Sequence, residues 1–356
     1  MKVAIRVDSS TEVGSGHLMR CLALARALKD SSVDSAFVMR DHKGNLNHRV
    51  VEAGFSLRSL PLNVCEDPSF LPRLGTKVNT DALETLDFLN DYEPDWLVVD
   101  HYSIGASWER TIRVAGVPIL VIDDLANRNH DCDALLDQNF PPVDPCRYKN
   151  LVPSGCLLFR GPRYVLLNPK FSSERRRLID NPRPTRDDIL VSFGSTNNLN
   201  LAELTYESLK RPSLQRHRVN LVLGADHDNY DAVRRLFSNR PNTRVFGPQP
   251  DLVSLMSSAQ LSIGAGGSTI WERRCLGLRS VVVSIASNQE PLCRMLSDLG
   301  MINYVGTLET ISSALIAVAC EAELRQPPPD IMSESNSPYE VDGHGAKRIA
   351  QFMIRG

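Results

Sequence analysis

Short apolar runs alternate with stretches of helical periodicity along this chain, a pattern that predicts parallel α/β sheets. The run "KVAIRV" (2–7) reads as a strand, and Leu18, Cys21, Leu22, Ala25 and Leu28 then recur at helical spacing over 17–29. Further strands are predicted at 35–39, 95–101 and 118–124, with helices near 46–53, 81–91 and 106–114. The alternation stops at "NPKFSSERRRLIDNPRPTRDD" (168–188), which is polar, charged and carries three prolines. That stretch reads as a linker. Strands resume at 188–194, 218–224, 243–247, 261–266 and 280–286, with helical stretches between them. A second loop, "PPPDIMSESNSP" (327–338), precedes a short terminal helix in "GAKRIAQFMIRG" (345–356). The expected organisation is two Rossmann-like domains facing a cleft. The first spans 1–168, a linker 169–187, the second domain 188–342, and a terminal helix 343–356.

Composition narrows the class. With 356 residues, 42% hydrophobic and 23% charged, the chain is long enough for two cores of ordinary globular character. A net charge of −2 gives no electrostatic footprint for nucleic acid or an anionic membrane. No run approaches 18 apolar residues, and the N-terminus already reads as a strand, so a membrane span and a signal peptide are not expected. The expected setting is a cytoplasmic monomer. Eight cysteines without any C-x-x-C spacing argue against a zinc knuckle or a local redox dithiol, and Cys21 and Cys275 read as buried thiols.

Ligands of open parallel sheets bind beyond the carboxyl ends of the strands, so the loops there carry the candidate chemistry. In "RVDSSTEVGSGH" (6–17), Gly14 and Gly16 bracket Ser15, and His17 follows on the first helical turn. The third glycine of a dinucleotide fingerprint is missing. The loop is either a tight turn capped by Ser15 or a catalytic loop presenting an exposed histidine. In "DHYSIGASWE" (100–109), Asp100 is a turn or cap residue or a ligand contact, and Tyr102 either packs under the loop or offers its hydroxyl. "FGSTNNLN" (193–200) places Gly194 and Ser195 between a strand and a helix. "GAGGSTIWERRCLG" (264–277) places Gly266, Gly267, Ser268 and Thr269 ahead of a helix bearing Glu272. Such a glycine loop either is structural or holds a diphosphate on unpaired backbone N–H groups without a metal. No Asp-x-Asp pair marks a metal–diphosphate bridge, and Asp123 and Asp124 in "VIDDL" are adjacent instead, pointing to opposite faces.

"GSGHLMRCLALARAL", "DHY", "IDDLANRNHDCDALLDQN", "GPRYVLL", "VSFGST", "GAGGSTIWE" and "SIASNQ" occur in that order. Together they resemble the UDP-sugar hydrolases of pseudaminic acid biosynthesis, which remove UDP from a 2,4-diacetamido-2,4,6-trideoxy-β-L-altropyranose. Spore-coat polysaccharide proteins are related, and "DGHGAKRI" (342–349) resembles the family's terminal motif. The resemblance implies a glycosyltransferase-B fold, similar to the bacterial enzyme that glycosylates lipid II, with UDP on the second domain. In that fold the terminal helix returns to the first domain. One departure is Asn197, where the family more often continues the "FGST" loop with glycine, threonine and aspartate. It bears on how Ser195 and Thr196 would meet the diphosphate.

Carried over position by position, the resemblance makes His17 catalytic. It puts Tyr102, Arg163 and Asn288 among the substrate contacts, with Gly14, Gly16, Asp100 and Gln289 beside them as further candidate substrate contacts. Gly194, Ser195, Gly266, Gly267, Ser268, Thr269 and Glu272 fall to UDP, with Glu272 on the ribose diol because a carboxylate accepts from both hydroxyls. No metal or other cofactor is implied. Histidine, with an ordinary pKa near 6.5, is mostly neutral at cellular pH and able to take a proton from water. UDP needs only its charge held by backbone dipoles to leave, and attack by water opposite it inverts the anomeric centre. Two other readings share these residues: an inverting glycosyltransferase using an acceptor alcohol, and a nucleotide-sugar-binding protein without catalysis.

Overall fold

The computed structural model describes residues 1–64, 68–139, 146–181, 187–195, 197–224, 228–327, 331 and 337–355. It divides into two compact units, Met1–Pro169 with Pro338–Gly356, and Lys170–Ser337. The first unit holds β1 (Lys2–Val7), β2 (Asp34–Arg40), β3 (Ser56–Leu60), β4 (Phe70–Leu71), β5 (Thr76–Lys77), β6 (Trp96–Asp100), β7 (Ile119–Ile122), β8 (Ala134–Asp137) and β9 (Leu157–Arg160). Seven of these make one sheet in the order β3-β2-β1-β6-β7-β8-β9, every neighbouring pair parallel. β4 and β5 form a separate antiparallel pair.

The second unit repeats the plan with β10 (Asp188–Ser192), β11 (Val219–Val222), β12 (Thr243–Phe246), β13 (Ala259–Ala265), β14 (Arg279–Ser284) and β15 (Asn303–Thr307). Its parallel order is β12-β11-β10-β13-β14-β15. In both sheets the chain order reverses beside the first strand, the Rossmann switch point at which ligands bind past the strand ends. Each unit is Rossmann-like.

Both sheets are covered on two faces, which is why their strands are near-continuous apolar runs. Val3, Ala4, Ile5 and Val7 are all fully buried, as are Ile189, Leu190 and Val191 in β10. One charge interrupts β1: the Arg6 guanidinium lies fully buried between Asp8 (2.7 Å) and Asp81 (2.6 Å). A buried cation is tolerable only with such partners. The pairing of β1 with β6 sets Val7 beside Asp100, so the loop that follows β1 starts next to the end of β6.

Several segments depart from the pattern read off the sequence. Residues 169–187 are not a linker throughout, because Pro169–Asp180 is a helix that buries Phe171, Arg175 and Leu178. Those positions recur at helical spacing, and Arg175 donates to the carbonyls of Cys275 and Ile331, both at 3.0 Å. Strands β3, β8, β9 and β15 were not predicted, because polar positions interrupt or bound them, as in SLRSL and NYVGT. The terminal helix Gly345–Arg355 packs Ala346, Ile349, Ala350 and Met353 into the core of the first unit. Its Phe352 stands 5.5 Å from Trp96 and 4.7 Å from Phe159, ring centre to ring centre. Among the described residues no helix is long and apolar enough to cross a membrane.

Candidate active site

The loop after β1 turns on Gly14, whose φ of +81° lies in the left-handed region that favours glycine. Its N–H donates to the Ser10 carbonyl at 2.8 Å, while the Ser10 hydroxyl accepts from the N–H of Glu12 (3.1 Å) and Val13 (2.9 Å). Ser10, not Ser15, shapes the turn. Ser15 stands at the N-cap of the helix Gly16–Lys29 with no side-chain capping bond. His17 is not exposed as its place in the sequence suggested, since only 7% of its surface meets solvent.

What buries His17 is a ring of side chains. Its Nδ1 lies 2.6 Å from Asp100 Oδ1. Arg20, one turn further along the same helix face, donates to both Asp100 oxygens at 2.6 Å. Its other terminal nitrogen donates to Asp124 at 3.0 Å. Asp124 accepts the Tyr102 hydroxyl at 2.7 Å and the Asn139 amide at 2.7 Å. The Tyr102 ring meets His17 edge-on, 4.4 Å between centres, and closes the circuit. Both roles left open for Tyr102 are therefore taken inside the protein: the ring packs, and the hydroxyl is donated to Asp124.

The electrostatics follow from this packing. Burial alone would raise the Asp100 carboxyl, but Arg20 and His17 outweigh it and hold it far below the usual carboxylate range. Asp100 is thus a carboxylate, and Nδ1 of His17 is the donor facing it. That tautomer leaves Nε2 as the basic nitrogen. Asp100, read from the sequence as a substrate contact, is fully buried with its oxygens already accepting from Arg20 and His17. Both of its oxygens thus face Arg20 and His17. Burial and Asp124 push the Tyr102 phenol well up, so it stays protonated and donating.

Asp123 and Asp124 do diverge, as alternation along a strand requires. Asp123 pairs with Arg128 at 2.7 Å and accepts Tyr148 at 3.0 Å, on the other side from Arg20. Tyr148 also donates to Asp137 at 3.0 Å. Burial pushes the Asp137 carboxyl up to about 7 against the pull of Arg147. The neighbour of Asp100, His101, is drawn down to about 4 by burial although Asp8 opposes the change. It stays neutral and structural.

Arg163 is not part of this circuit. It is exposed on the short turn Pro162–Tyr164 and lines a groove with Phe159, Tyr164, Arg348 and Phe352. Its carbonyl accepts from Arg348 at 2.8 Å. Arg20, Asp124 and Asn139 escaped the sequence reading. The i, i+3 spacing of His17 and Arg20 was the available signal, since it sets both side chains on one helix face.

In the second unit, Gly194 turns with a φ of +81° and has open space where a Cβ would stand, and Ser195 is half-buried beside it. Thr196 lies outside the described residues. Asn197 is spent on structure: its side chain exchanges hydrogen bonds with the backbone of Gly224 at 3.0 and 3.2 Å. Gly266 is required by packing, because a Cβ there would lie 2.3 Å from Cys293 Sγ. Gly267 follows, and Ser268 is the N-cap of the helix Thr269–Cys275 without a side-chain capping bond. Gln289 accepts the Ile285 N–H at 3.0 Å, and Asn288 beside it is exposed. Glu272 is half-buried, and burial pushes its carboxyl up to about 7 with Arg273 opposing. Arg273 itself is buried and donates to the Ala265 carbonyl at 2.6 Å.

Solved structures decide the architecture. MurG of Acinetobacter baumannii superposes with a TM-score of 0.65 at 14% identity, covering 100% of this chain and 99% of that one. The fold is glycosyltransferase-B. Within it, two curated relatives are distantly similar in sequence. The UDP-2,4-diacetamido-2,4,6-trideoxy-beta-L-altropyranose hydrolase of Campylobacter jejuni is 24% identical over 301 residues, 84% of this chain and 97% of the relative. The spore coat polysaccharide biosynthesis protein SpsG of Bacillus subtilis is 21% identical over 356 residues, 99% of this chain and 98% of the relative. No family model matches the chain.

Proposed function

We propose that this protein hydrolyses a UDP-linked 2,4-diacetamido-2,4,6-trideoxy sugar to UDP and the free sugar, in the biosynthesis of pseudaminic acid or a related nonulosonic acid. The observation that carries the reading is the buried pair of His17 with Asp100, 2.6 Å apart at the end of β6. The distant likeness to the Campylobacter jejuni hydrolase supports the substrate class.

Nε2 of neutral His17 takes a proton from water as its oxygen attacks the anomeric carbon. The imidazolium that forms is stabilised by Asp100, and Arg20 keeps that carboxylate ionised and oriented. The bond from the anomeric carbon to the UDP oxygen breaks on the opposite face, so the configuration inverts. Gly14 and Gly16 let the backbone approach the sugar closely, and Tyr102 fixes the imidazole plane. Gly194, Ser195, Gly266, Gly267, Ser268 and Thr269 hold the diphosphate with backbone and hydroxyl donors, offsetting the charge that builds on the leaving group. Glu272 accepts the ribose hydroxyls, and Arg163, Asn288 and Gln289 contact the rest of the substrate.

The experiment is UDP release from a panel of UDP-diacetamido sugars with no acceptor alcohol added, for the natural protein and for His17→Ala, His17→Asn and His17→Gln. Turnover by the natural protein should fall by about 10²–10⁴-fold in each variant, the usual span for lost proton transfer, with UDP binding kept. Release only on addition of an acceptor would make the protein a glycosyltransferase. Binding without turnover would make it a nucleotide-sugar-binding protein.

A further inference from the structure

The lack of any C-x-x-C spacing concealed a pair of thiols that the fold assembles from a distance. Cys132 and Cys156 are 24 residues apart in sequence, and their sulfurs stand 3.6 Å apart. Cys132 lies just ahead of β8 and is 1% exposed, whereas Cys156 lies just ahead of β9 and is half-buried. Both are free thiols.

The backbones carrying them are already fixed side by side. β8 and β9 are parallel with Ala134 beside Leu157, and the Leu157 N–H donates to the Asp133 carbonyl at 2.9 Å. That register offsets the cysteines by one residue on neighbouring strand lines. A disulfide spans about 4.4–6.8 Å between Cα atoms and about 2.05 Å between sulfurs, so about 1.5 Å of sulfur movement remains.

We propose that Cys132 and Cys156 form an oxidation site at which a peroxide closes a disulfide between β8 and β9. The Cys156 thiolate attacks one peroxide oxygen, the O–O bond breaks, and the departing hydroxide takes a proton to become water. Cys156 is then a sulfenic acid. The Cys132 sulfur attacks it, the S–O bond breaks, and the Cys132 proton leaves with the hydroxyl as a second water. Two thiols are oxidised to one disulfide, and one peroxide is reduced to two waters.

The surroundings assign the order of attack. Cys156 is the half-buried thiol that a peroxide can reach, with the Arg113 guanidinium favouring its thiolate while burial, Asp133 and Glu109 oppose it. Cys132, 1% exposed, is shut off from solvent and resolves the sulfenic acid from inside. The bridge closes a loop holding Asn139, Arg147 and Tyr148, whose partners are Asp124, Asp137 and Asp123. Oxidation therefore ties the base of the segment that fastens Asp124 in the His17 circuit.

The test treats the full chain with a small excess of hydrogen peroxide, blocks remaining thiols with N-ethylmaleimide, and maps peptides without reduction by mass spectrometry. The expected product joins the Cys132 and Cys156 peptides with the loss of two hydrogens, and dithiothreitol reverses it. Cys156→Ser should abolish the cross-link, and Cys132→Ser should leave a Cys156 sulfenic acid that dimedone traps. Sulfinic or sulfonic acid at Cys156 without the cross-link would overturn the proposal. So would full alkylation of both thiols after peroxide has consumed the exposed Cys146.

Discussion

Replacing Asp100 with asparagine removes one charge from the middle of the circuit and leaves its shape. Asp100 is fully buried and accepts three short bonds, two from Arg20 and one from His17, all at 2.6 Å. An amide there offers Arg20 one neutral oxygen and can turn its NH₂ toward Nδ1. That arrangement favours the tautomer with hydrogen on Nε2, which cannot accept a proton from water. The same substitution in the Ser-His-Asp triad costs about 10⁴ in kcat, so a loss of roughly 10³–10⁴-fold is expected here. Breaking a buried ion pair costs about 3–5 kcal/mol. Arg20 keeps Asp124 at 3.0 Å, so the low end applies. At about 2–4 °C per kcal/mol for a unit of this size, Tm should fall by roughly 6–12 °C. UDP release kinetics, UDP calorimetry and thermal unfolding together make the assay, with UDP affinity expected to be unchanged because the loops proposed to hold UDP belong to the second unit. A folded Asp100→Asn protein with kcat within threefold of the natural one would refute the role of Asp100 as the group that orients His17.

Glu272→Ala should weaken UDP binding by roughly 1–3 kcal/mol, the usual cost of unmatched buried partners; unchanged affinity by calorimetry would make the glutamate structural. Its carboxyl is held up to about 7, and only the carboxylate accepts both ribose hydroxyls. Uridine affinity should therefore fall as pH drops below about 7, and Glu272→Gln should remove that dependence. Asp137 also has a folded pKa of about 7, above its unfolded value of about 3.9. Between those values the folded state holds the extra proton, so stability declines as pH rises from about 4 to 7. Asp137→Asn should flatten that decline in Tm, and an unchanged slope would count against it. Turnover should survive excess EDTA, because Arg128 and Arg20 already occupy Asp123 and Asp124; loss of activity restored by Mg²⁺ or Mn²⁺ would contradict this.

Much of the architecture was legible because strands buried on both faces, such as "KVAIRV" and "DILVSFG", cannot be mistaken for loops. The short β8 was hidden among charged neighbours, and the helix Pro169–Asp180 was masked by a mean polarity that outweighed Phe171 and Leu178. At the site, His17 and Asp100 were visible as residues at strand-end loops. Their contact was not, because it depends on the register that places Val7 beside Asp100. Asp124 and Asn139 follow still later strands, and only in the folded unit does Asp124 meet Arg20, Tyr102 and Asn139. Polarity likewise misjudged His17, which has few solvent contacts because Tyr102, Arg20 and Asp100 surround it.

If His17 directs water to the anomeric carbon of a UDP-sugar, the oxygen that enters comes from solvent and stays on the sugar. Turnover of a UDP-2,4-diacetamido-2,4,6-trideoxy sugar in ¹⁸O-water, read by mass spectrometry of both products and by early NMR of the sugar, tests it most directly. Attack at carbon puts ¹⁸O in the free sugar, leaves UDP unlabelled, and gives an inverted anomeric configuration before mutarotation. Label in the UDP would place the attack at phosphorus and contradict it.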